Sequence, residues 1–493
     1  MKKTLSLILL AALLAACQQA QVPANYQQVK RDAPIYPDYT DVTIPVNMAP
    51  LNFELLAPAD EAVTRFTVGD NELVCGGLKV RPDIDEWRSL TAAACGDSIN
   101  VEVFARKDGQ WVRFTPYHIY VSPDSIDPYL SYRMISPSYV SYEELTINQR
   151  CLENFDEQVI VDNMLCSTEA GGQCINCHNY QQWNPERMQF HARHANGGTV
   201  IVYDGQAEKV NLQNETMLSP GVYPAWHPSQ KLIAYSTNMT FQTFHTVDLN
   251  KIEVIDAASD LILYDIDNHQ VTPIEQQTDE LETFPCWSPD GRWLYFASAH
   301  FEYPADTVDM SEITLRAQEV KYNLYRKSFN PDTREFGDRE LVFAADTMGM
   351  SATLPRISPD GRFLIFTLGE WGNFHIWHRD ADLWLLPLSG EGRIRPLNEV
   401  NSDDTDSYHS WSSNGRWVVF SSRRYDGIFT RPFFAHIDAD GQASKPFELP
   451  MEDPDRHRQL LKSYNVPELM RGPVKLTPQQ AAVVLKGEGL SVK

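Results

Sequence analysis

A repeated strand-turn-strand pattern constrains the fold of this chain more than any other feature of its sequence. Each copy has a short strand that ends at Trp or Ile, a turn of the Ser-Pro-Asp-Gly type, and a returning apolar strand. Proline presets φ in such a turn and glycine supplies the positive φ. In the first copy Pro228–Gln230 replaces Pro-Asp-Gly, which predicts a weaker turn. The four copies begin at Tyr223, Phe284, Leu354 and Tyr408.

The repeat predicts a β-propeller over residues 199–450. Each copy is followed by a second strand pair, such as Asp260–Ile274, and one four-stranded sheet per repeat is a propeller blade. Four blades are explicit, and Thr199–Leu212 has the pattern of a further outer strand pair. We therefore expect a five- or six-bladed propeller. The alternative, four unrelated hairpins, does not account for the ordered recurrence of the copies.

The rest of the chain predicts a mainly β protein with a short helical tail. Residues 46–125 alternate between apolar and polar positions, which favours a β-sandwich-like domain of the immunoglobulin or fibronectin type. Residues 126–198 lose that alternation, so we expect a connector there. In the tail, residues 451–493, Thr477 begins a short helix as its N-cap, with proline at the first helical position.

The N-terminus predicts export and a lipid anchor. Two lysines precede an apolar stretch, Leu5–Leu14, that is too short for a lasting transmembrane helix. The Leu-Ala-Ala-Cys that follows resembles a bacterial lipobox, in which residues 1–17 are the signal peptide and the lipidated Cys17; an ordinary secretory signal is the alternative. Glutamine after the cysteine resembles the sorting pattern for the outer membrane. We expect residues 18–45 to be a tether.

The charge balance limits the partners. The chain has 42 Lys and Arg against 66 Asp and Glu, a formal net charge of −24. An acidic protein repels phosphate backbones, so we expect no nucleic-acid partner. The expected partners are the membrane, through the lipid anchor, and an envelope protein or redox partner that the acidic surface attracts.

A Cys-x-x-Cys-His motif is the sharpest chemical signal. Cys174 and Cys177 are three residues apart, a spacing at which two thiols reach both vinyl groups of one haem and form thioethers. His178 then ligates the iron axially. Export favours this interpretation, because c-type haem is attached outside the cytoplasm. The motif therefore predicts one covalent haem c.

Other chemistry is open at this motif. A zinc site would need further ligands, which His191 or His194 could supply. A thioredoxin-like pair expects a βαβ context that the sequence lacks, and a structural disulfide at this spacing would be strained. For a sixth haem ligand we expect His191, then Met188; an iron that is five-coordinate, or ligated from the propeller, is the alternative.

The remaining cysteines are odd in number, so they cannot all pair in an exported protein. Cys286 lies at the start of an apolar strand and is expected to be a buried thiol. Local disulfides between Cys75 and Cys95, and between Cys151 and Cys166, are plausible from their spacing.

A second polar group of residues lies in the propeller region. Entry loops of propeller blades gather on one face around the central channel, so these side chains could converge on a cation or a polar ligand. The alternative is a set of solvated acidic loops and inter-blade salt bridges. The residues of this possible ligand face are His375, His378, Asp380, Asp382, Asp403, Asp404, Asp406, His409, Arg423 and Arg424.

Several long strings also carry a family resemblance. They are Gly172–His178, Arg187–His191, Gly197–Thr199, Asn373–His378, Asp380–Leu383, Ser402–Asp404, Ser407–Ser413 and Ser421–Arg424. With them, nearly the whole chain resembles a family of bacterial envelope lipoproteins that have TolB-like (PD40, WD40-like) propeller repeats and a single C-x-x-C-H motif. The resemblance implies a periplasm-facing outer-membrane lipoprotein, and it supports architecture more than biochemical role.

Three functions are therefore open. The first is a monohaem c-type, cytochrome-like lipoprotein that transfers electrons or senses redox state, with a propeller that docks a partner. The second is a TolB-like scaffold that binds envelope proteins or peptides, with haem or zinc as a structural part. The third is an enzyme that acts at the propeller face. A prolyl-oligopeptidase-like enzyme is disfavoured, because the tail is too short for a hydrolase domain and no G-x-S-x-G motif occurs.

Overall fold

The structure is a computed structural model, and it describes residues 20–136, 144–168, 172–305, 307–389 and 392–493. The predicted signal peptide and its lipidated Cys17 lie outside the described residues. Within the described part, no helix is both long enough and apolar enough to cross a membrane. The chain forms two compact units, of which the first takes residues up to Ser125 with Pro450–Gln459, and the second takes Ile126–Leu449 with Leu460–Lys493.

The first unit is built mainly from short strands. In chain order they are β1 (Gln27–Asp32), β2 (Ile35–Tyr36), β3 (Thr43–Pro45), β4 (Phe53–Leu55), β5 (Glu61–Val68), β6 (Asn71–Gly76), β7 (Lys79–Val80), helix α1 (Ile84–Ala93), β8 (Ser98–Lys107), β9 (Gln110–Thr115) and β10 (Tyr117–Ser122). Strand β8 is central: β5 pairs along one edge, and β9 and β10 pair along the other. Strands β2, β4 and β7 form a small second sheet.

This unit differs from the expected sandwich in two respects. Helix α1 lies between the strands and begins at Asp83, whose carboxylate accepts the backbone N–H groups of the first turn. The helix buries Trp87 edge-on against Phe66, with ring centroids 5.8 Å apart. The stretch expected to be a tether, residues 18–45, contains strands β1 to β3. It is a folded part of the first unit, since its apolar residues, such as Tyr39 and Ile44, are buried.

The second unit contains the remaining strands. They are β11 (Tyr129–Ile135), β12 (Thr146–Cys151), β13 (Glu157–Asp162), helix α2 (Asn163–Cys166), β14 (Ile175–Tyr180), β15 (Arg187–Ala192), β16 (Gly198–Tyr203), β17 (Gln206–Asn211), β18 (Val222–Trp226), β19 (Leu232–Phe244), β20 (Ile252–Asp265), β21 (Gln270–Glu275), β22 (Glu280–Trp287), β23 (Trp293–His300), helix α3 (Met310–Leu315), β24 (Asn323–Asn330), β25 (Glu335–Phe343), β26 (Ser351–Ile357), β27 (Phe363–Gly369), β28 (Asp382–Pro387), β29 (Arg395–Pro396), β30 (Asp406–Trp411), β31 (Trp417–Ser422), β32 (Arg431–His436) and β33 (Phe447–Glu448). Helix α4 (Arg456–Gln459) belongs to the first unit, and β34 (Ser463–Met470), helix α5 (Pro478–Lys486) and β35 (Leu490–Ser491) follow.

These strands pair into six successive four-stranded groups within the described residues. Five groups run in chain order, from β14–β17 to β30–β33, and the sixth is β34-β11-β12-β13. A parallel bridge between β20 and β22 joins two groups, and β35 extends the edge at β17. The first strands contact one another in a cycle, β14, β18, β22, β26, β30, β34 and β14 again. The architecture is therefore propeller-like, with its inner strands around a common axis.

Two predicted boundaries differ from this arrangement. Residues 126–198, expected as a connector, contain β11 to β15, and residues 451–493, expected as a tail, contain the inner strand β34. The sixth sheet could not be predicted from the sequence, because its strands come from opposite ends of the unit and lack the Ser-Pro-Asp-Gly turn. The tail helix α5 does begin at Thr477, with the expected capping box to Gln480.

The repeated turns share one hydrogen-bond pattern. In the second copy the Ser288 hydroxyl donates to Asp290, which also accepts the N–H of Arg292, 3.0 Å away. The third and fourth copies repeat this pattern. In the first copy, where the turn is expected to be weaker, His227 Nδ1 accepts the N–H of Gln230 at 3.0 Å. A histidine at the position of Ser288 therefore stabilises this turn through different backbone N–H groups, those of Ser229 and Gln230.

Two turn glycines give a matched test of this packing. Gly291 and Gly361 both have left-handed φ, of 68° and 73°. A Cβ on Gly291 would lie 2.4 Å from His227 Nε2, whereas a Cβ on Gly361 meets no atom within 4 Å. We expect Gly361→Ala to cost about 1 kcal/mol from backbone strain alone. Gly291→Ala should cost about 2 kcal/mol more through overpacking, seen as a lower midpoint of thermal denaturation. Equal losses would contradict this account.

Candidate functional site

The inner strands of all six sheets carry a bulge at the same place. At each bulge the register of the strand pair shifts, and a residue other than glycine takes positive φ. Such strained positions persist only where the surrounding structure holds them, and they are frequent next to functional sites. The six bulge residues are Cys177 (φ 55°), Tyr223 (49°), Phe284 (53°), Leu354 (54°), Tyr408 (45°) and Val466 (52°).

Alignment on these bulges places the Cys-x-x-Cys-His motif inside the repeat. The motif lies on β14, the inner strand of the first sheet, and Cys177 is that sheet's bulge residue. The position after the bulge residue is proline in four sheets and histidine in two: Pro224, Pro285, Pro355, Pro467, His178 and His409. The motif is thus a variant of a structural position that each sheet contains.

A cavity of about 700 Å³ lies where the six bulges meet. All six bulge residues line it, and since they come from every inner strand of the cycle, the cavity lies on the propeller axis. We refer to it as the axial cavity. The rings of Tyr223 and Phe284 pack together in its wall with centroids 4.6 Å apart.

Both thiols of the motif line the axial cavity. Cys174 and Cys177 are free, and Asn176 donates a side-chain N–H to Cys174 Sγ at 2.9 Å. Burial raises the pKa of Cys177. The backbone N–H of Tyr223 and the nearby charge of Arg193 partly offset that rise. The structure therefore brings both sulfurs to one buried space, as covalent attachment of a single group requires.

His178 lines the same cavity with a neutral ring. The side chain is 1% exposed, and neither ring nitrogen makes a well-formed hydrogen bond within the described residues. Burial and then the charge of Arg133 lower its pKa to about 3, although poorly aligned hydrogen bonds to the backbone of Val466 and Ser131 act in the opposite direction. Buried polar atoms are normally partnered. An imidazole that is neutral and unpartnered has a free lone pair for a metal ion.

The structure separates the two expected sixth ligands. His191 lines the axial cavity, and its Nδ1 lies 3.0 Å from Thr199 Oγ1, which fixes the ring and leaves Nε2 for a ligand. Burial lowers the pKa of His191 to about 3. Met188 is instead fully buried in an apolar cluster with Phe190 and is absent from the described cavity wall. The cavity thus offers His191 and not Met188.

The ligands of a zinc site are not gathered in the described chain. No group of three or more His, Cys, Asp or Glu side chains is arranged there to hold a metal ion. His194 lies in an exposed turn away from the cavity wall. Zinc usually takes four protein ligands, whereas a haem iron takes only its axial ligands from the protein. The single motif histidine therefore suits a porphyrin-held iron better.

The other cysteines are unpaired. The disulfides considered between Cys75 and Cys95, and between Cys151 and Cys166, are absent from the described residues, where all four thiols are free. Burial raises the pKa of Cys75 to about 12. Cys286 is a buried thiol, as the sequence predicts.

The histidines of the possible ligand face bind residues inside the protein. His375 Nδ1 lies 2.8 Å from Thr353 Oγ1. His378 Nε2 lies 2.7 Å from Glu253 Oε2, and both side chains are buried. His409 Nε2 lies 3.0 Å from a backbone carbonyl of the neighbouring sheet. These rings hold strands and loops together and do not point to a shared ligand.

The charged members of that face are also used internally. Asp404 pairs with Arg379 at 3.0 Å, and Asp406 pairs with Arg424 at 2.9 Å. Arg423 lies 3.2 Å above the centroid of Trp377. The other three carboxylates do not complete a site: Asp380 accepts the N–H of Glu370, Asp382 is half-buried, and Asp403 is exposed. Asp382 lies close enough to Asp380 and Asp406 for their charges to add to burial in raising its pKa to about 6, but the described residues contain no group of three or more His, Cys, Asp or Glu side chains arranged to hold a metal ion. The ion pairs of Asp404 and Asp406 favour the alternative of internal salt bridges for those two residues.

Sequence reasoning missed several residues of the axial cavity. Tyr223 and Tyr408 were available as the first residues of two repeat copies, but only the bulge turns them inward, and Val466 lies in the stretch expected to be a tail. Arg133 had no sequence signal, because its strand meets the motif only through the cyclic arrangement of the sheets.

Comparison with known proteins gives fold neighbours only. No protein-family model and no curated protein matches this chain. Among solved structures, it is similar to a TolB candidate from Agrobacterium tumefaciens, with 16% identity, a TM-score of 0.37, and coverage of 67% of this chain and 96% of that chain. It is also similar to a prolyl endopeptidase, with 13% identity, a TM-score of 0.35, and coverage of 66% of this chain and 42% of that chain. A third similar structure is an oligogalacturonate lyase solved with manganese, with 12% identity, a TM-score of 0.30, and coverage of 86% of this chain and 99% of that chain. These TM-scores and identities are too low to support an argument, so the description of the fold depends on the strand pairing alone.

The buried histidines predict acid sensitivity. Burial lowers the pKa of His409 to about 3, so below the unfolded value of about 6.5 protons bind the unfolded chain first and stability falls with pH. Between pH 7 and pH 5, His409 alone should cost about 2 kcal/mol. We expect His409→Gln to lose less stability over this interval than the parent protein, measured by thermal denaturation. The exposed His300→Gln is the control, and identical pH profiles for the parent and His409→Gln would contradict the expectation.

Proposed function

We propose that this chain is an envelope lipoprotein that carries one covalent haem c in its axial cavity and serves in electron transfer or redox sensing. The observation that carries the proposal is the meeting of Cys174, Cys177 and the unpartnered, neutral His178 at one buried cavity. An anchor at Cys17 and a position at the outer membrane, facing the periplasm, belong to the same proposal.

The residues present fit such a group. The cavity volume of about 700 Å³ lies within the range of about 300–1,000 Å³ typical of cofactor sites. Cys174 and Cys177 would supply the two thioethers, and His178 would supply an axial nitrogen. The bound haem would supply a one-electron couple.

The chain's own residues would set the properties of the site. The bulge residues, aromatic at three of the six positions, would give the bound group apolar wall contacts. Thr199 holds the orientation of the His191 ring, as outer partners of metal-binding histidines do. Burial keeps both imidazoles neutral at physiological pH. These features favour His191 as the second axial ligand.

A scaffold function is the second candidate. The observation that favours it is the equivalence of the motif to positions that carry Tyr-Pro or Phe-Pro in other sheets, because the ring of sheets can then form without a bound group. In this case the propeller-like unit would bind an envelope protein or peptide, and the motif would be structural. The three histidines considered for an enzymatic site, together with Asp404, Asp406 and Arg424, are engaged inside the protein, so no observation favours an enzyme.

Removal of the thiols tests the main proposal. In protein made with the cytochrome c maturation system, we expect one covalent haem per chain in a pyridine haemochrome assay. Cys174→Ala should leave a single thioether, and the Cys174→Ala/Cys177→Ala variant should lose covalent haem with little change in circular dichroism. Cys286→Ala, a buried thiol outside the motif, is the matched control. A colourless parent protein would leave only the scaffold.

The two expected sixth ligands give a further test. If His191 binds the iron, His191→Ala should change the ferric spectrum from low spin to high spin and raise the reduction potential, since a second histidine lowers it. Met188→Leu keeps the volume of the apolar cluster and should leave both quantities unchanged. A spectral change in Met188→Leu but not in His191→Ala would reverse the assignment.

A further inference from the structure

The bulge of β14 brings two neighbouring side chains of the motif to the same space. In a regular strand successive side chains point to opposite faces, so Cys177 and His178 would point apart. Both line the axial cavity, because Cys177 takes a φ of 55° and the register of β14 against β15 shifts there. The motif therefore depends on a backbone conformation that residues other than glycine keep only where their surroundings hold it.

Four of the six inner strands restrain this bulge with a proline. The proline ring fixes φ, and it has no N–H group that would need a partner in the strand ladder. The prolines that follow a bulge residue are Pro224, Pro285, Pro355 and Pro467. The other two strands have a histidine there, which leaves φ free and adds a backbone N–H. We expect these two bulges to need another restraint.

In β30 the histidine itself supplies that restraint. His409 Nε2 lies 3.0 Å from the carbonyl oxygen of Ile365, which is on β27 of the preceding sheet. His178 forms no equivalent bond, since neither of its ring nitrogens makes a well-formed hydrogen bond within the described residues. Among the six inner strands, β14 thus has neither the proline nor the cross-sheet bond of the residue that follows the bulge.

Gln189 supplies the missing restraint at β14. It lies on β15 opposite Asn179, is fully buried, and donates its side-chain N–H to the backbone carbonyl of Cys177. The hydroxyl of Tyr235, on β19 of the second sheet, donates to Gln189 Oε1 at 3.3 Å, and its ring is also fully buried. One side chain therefore ties the left-handed peptide of the motif to the neighbouring sheet.

The amide at this position is specific to the sheet that carries the motif. In each sheet the residue two positions after the bulge residue pairs with one residue of the adjacent strand, so these partners are structurally equivalent. Among these described partners only Gln189 has a side-chain amide, which can donate to one group while it accepts from another. The equivalent residues in the other five sheets are Ala234, Tyr295, Ile365, Val419 and Ser131.

We propose that Gln189 is the positioning residue of the Cys-x-x-Cys-His motif. By holding the Cys177 carbonyl, it keeps the Cys177 thiol and the His178 imidazole together on the cavity side of β14. Gln189 is absent from the described cavity wall, so it acts through the motif and not on a bound group. The inference rests on the proposed function where that group is a haem, whereas the hold on the backbone does not require one.

The first test measures backbone hydrogen exchange, peptide by peptide, in the full chain made with the cytochrome c maturation system. Gln189→Leu removes both hydrogen bonds and should raise the exchange rate of the β14 amides about tenfold. Tyr235→Phe removes only the outer bond and should raise that rate about threefold. The matched control is Gln149→Leu, because Gln149 is a buried amide of the sixth sheet that donates to the carbonyl of Val474 at 3.0 Å. It should leave exchange at β14 unchanged.

The second test measures the site itself. If one haem is attached, Gln189→Leu should lower the fraction of chains with a thioether at Cys177, read from the mass of the motif peptide. It should also shift the reduction potential, because the imidazole of His178 loses its fixed position. Gln149→Leu should change neither quantity, even where it lowers the midpoint of thermal denaturation.

The outcomes separate this role from the haem proposal. Unchanged exchange at β14 in Gln189→Leu overturns the role, and so does an equal rise in Gln149→Leu. A rise without any change in the thioether fraction or the potential of a haem-loaded chain also overturns it. If the parent is colourless but exchange at β14 still rises, the haem proposal fails and the hold of Gln189 on the motif stands. Should Gln189→Leu not fold, Tyr235→Phe serves for the same comparisons.

Discussion

The bulge in each inner strand is the constraint on which the second unit depends. A residue other than glycine in the left-handed region costs about 1–2 kcal/mol, and six inner strands accept this cost at equivalent positions. The neighbouring sheets compensate by packing: the indole of Trp287 donates to Ala225 O, and that of Trp411 donates to Arg356 O, each across a sheet boundary. The bulges turn one side chain per sheet toward the axis, and the cavity is the space between those side chains.

At the bulge of β14, the Cys-x-x-Cys-His motif places chemically reactive side chains in a position that is structural in the other sheets. Four sheets place an aromatic or aliphatic residue followed by proline, and β30 places Tyr408 followed by His409, whereas β14 places Cys177 followed by His178. A position that the fold already holds rigid and buried therefore carries a thiol and an imidazole. Rigid support of this kind is what a prosthetic group requires, because its ligands must keep their geometry between oxidation states.

The sequence predicted those parts of the fold in which the strands that pair are close together in the chain. The Ser-Pro-Asp-Gly turns predicted four sheets because each turn and its two strands are contiguous in the chain. The sixth sheet was not predictable, because β34 and β11 are separated by more than 300 residues and carry no shared motif. For the same reason residues 126–198 lacked a visible period.

The candidate site was predictable in its chemistry but not in its surroundings. The spacing of Cys174, Cys177 and His178 predicted a shared haem site, which stays a prediction, and the structure brings these three residues and His191 to the wall of one cavity. The possible ligand face was not confirmed, since Glu253 and Thr353 satisfy its histidines from strands distant in sequence. Arg133 could not be identified, because a lone arginine on a strand has no pattern until the ring of sheets brings it to the motif.

The sixth sheet also joins the two ends of the second unit. Val466, in the wall of the axial cavity, belongs to β34, which pairs with β11 and contacts β14. The wall beside the motif strand is therefore supplied by the C-terminal part of the unit. A truncation before β34 would remove that wall and would leave β11 and β14 without the strand that contacts both.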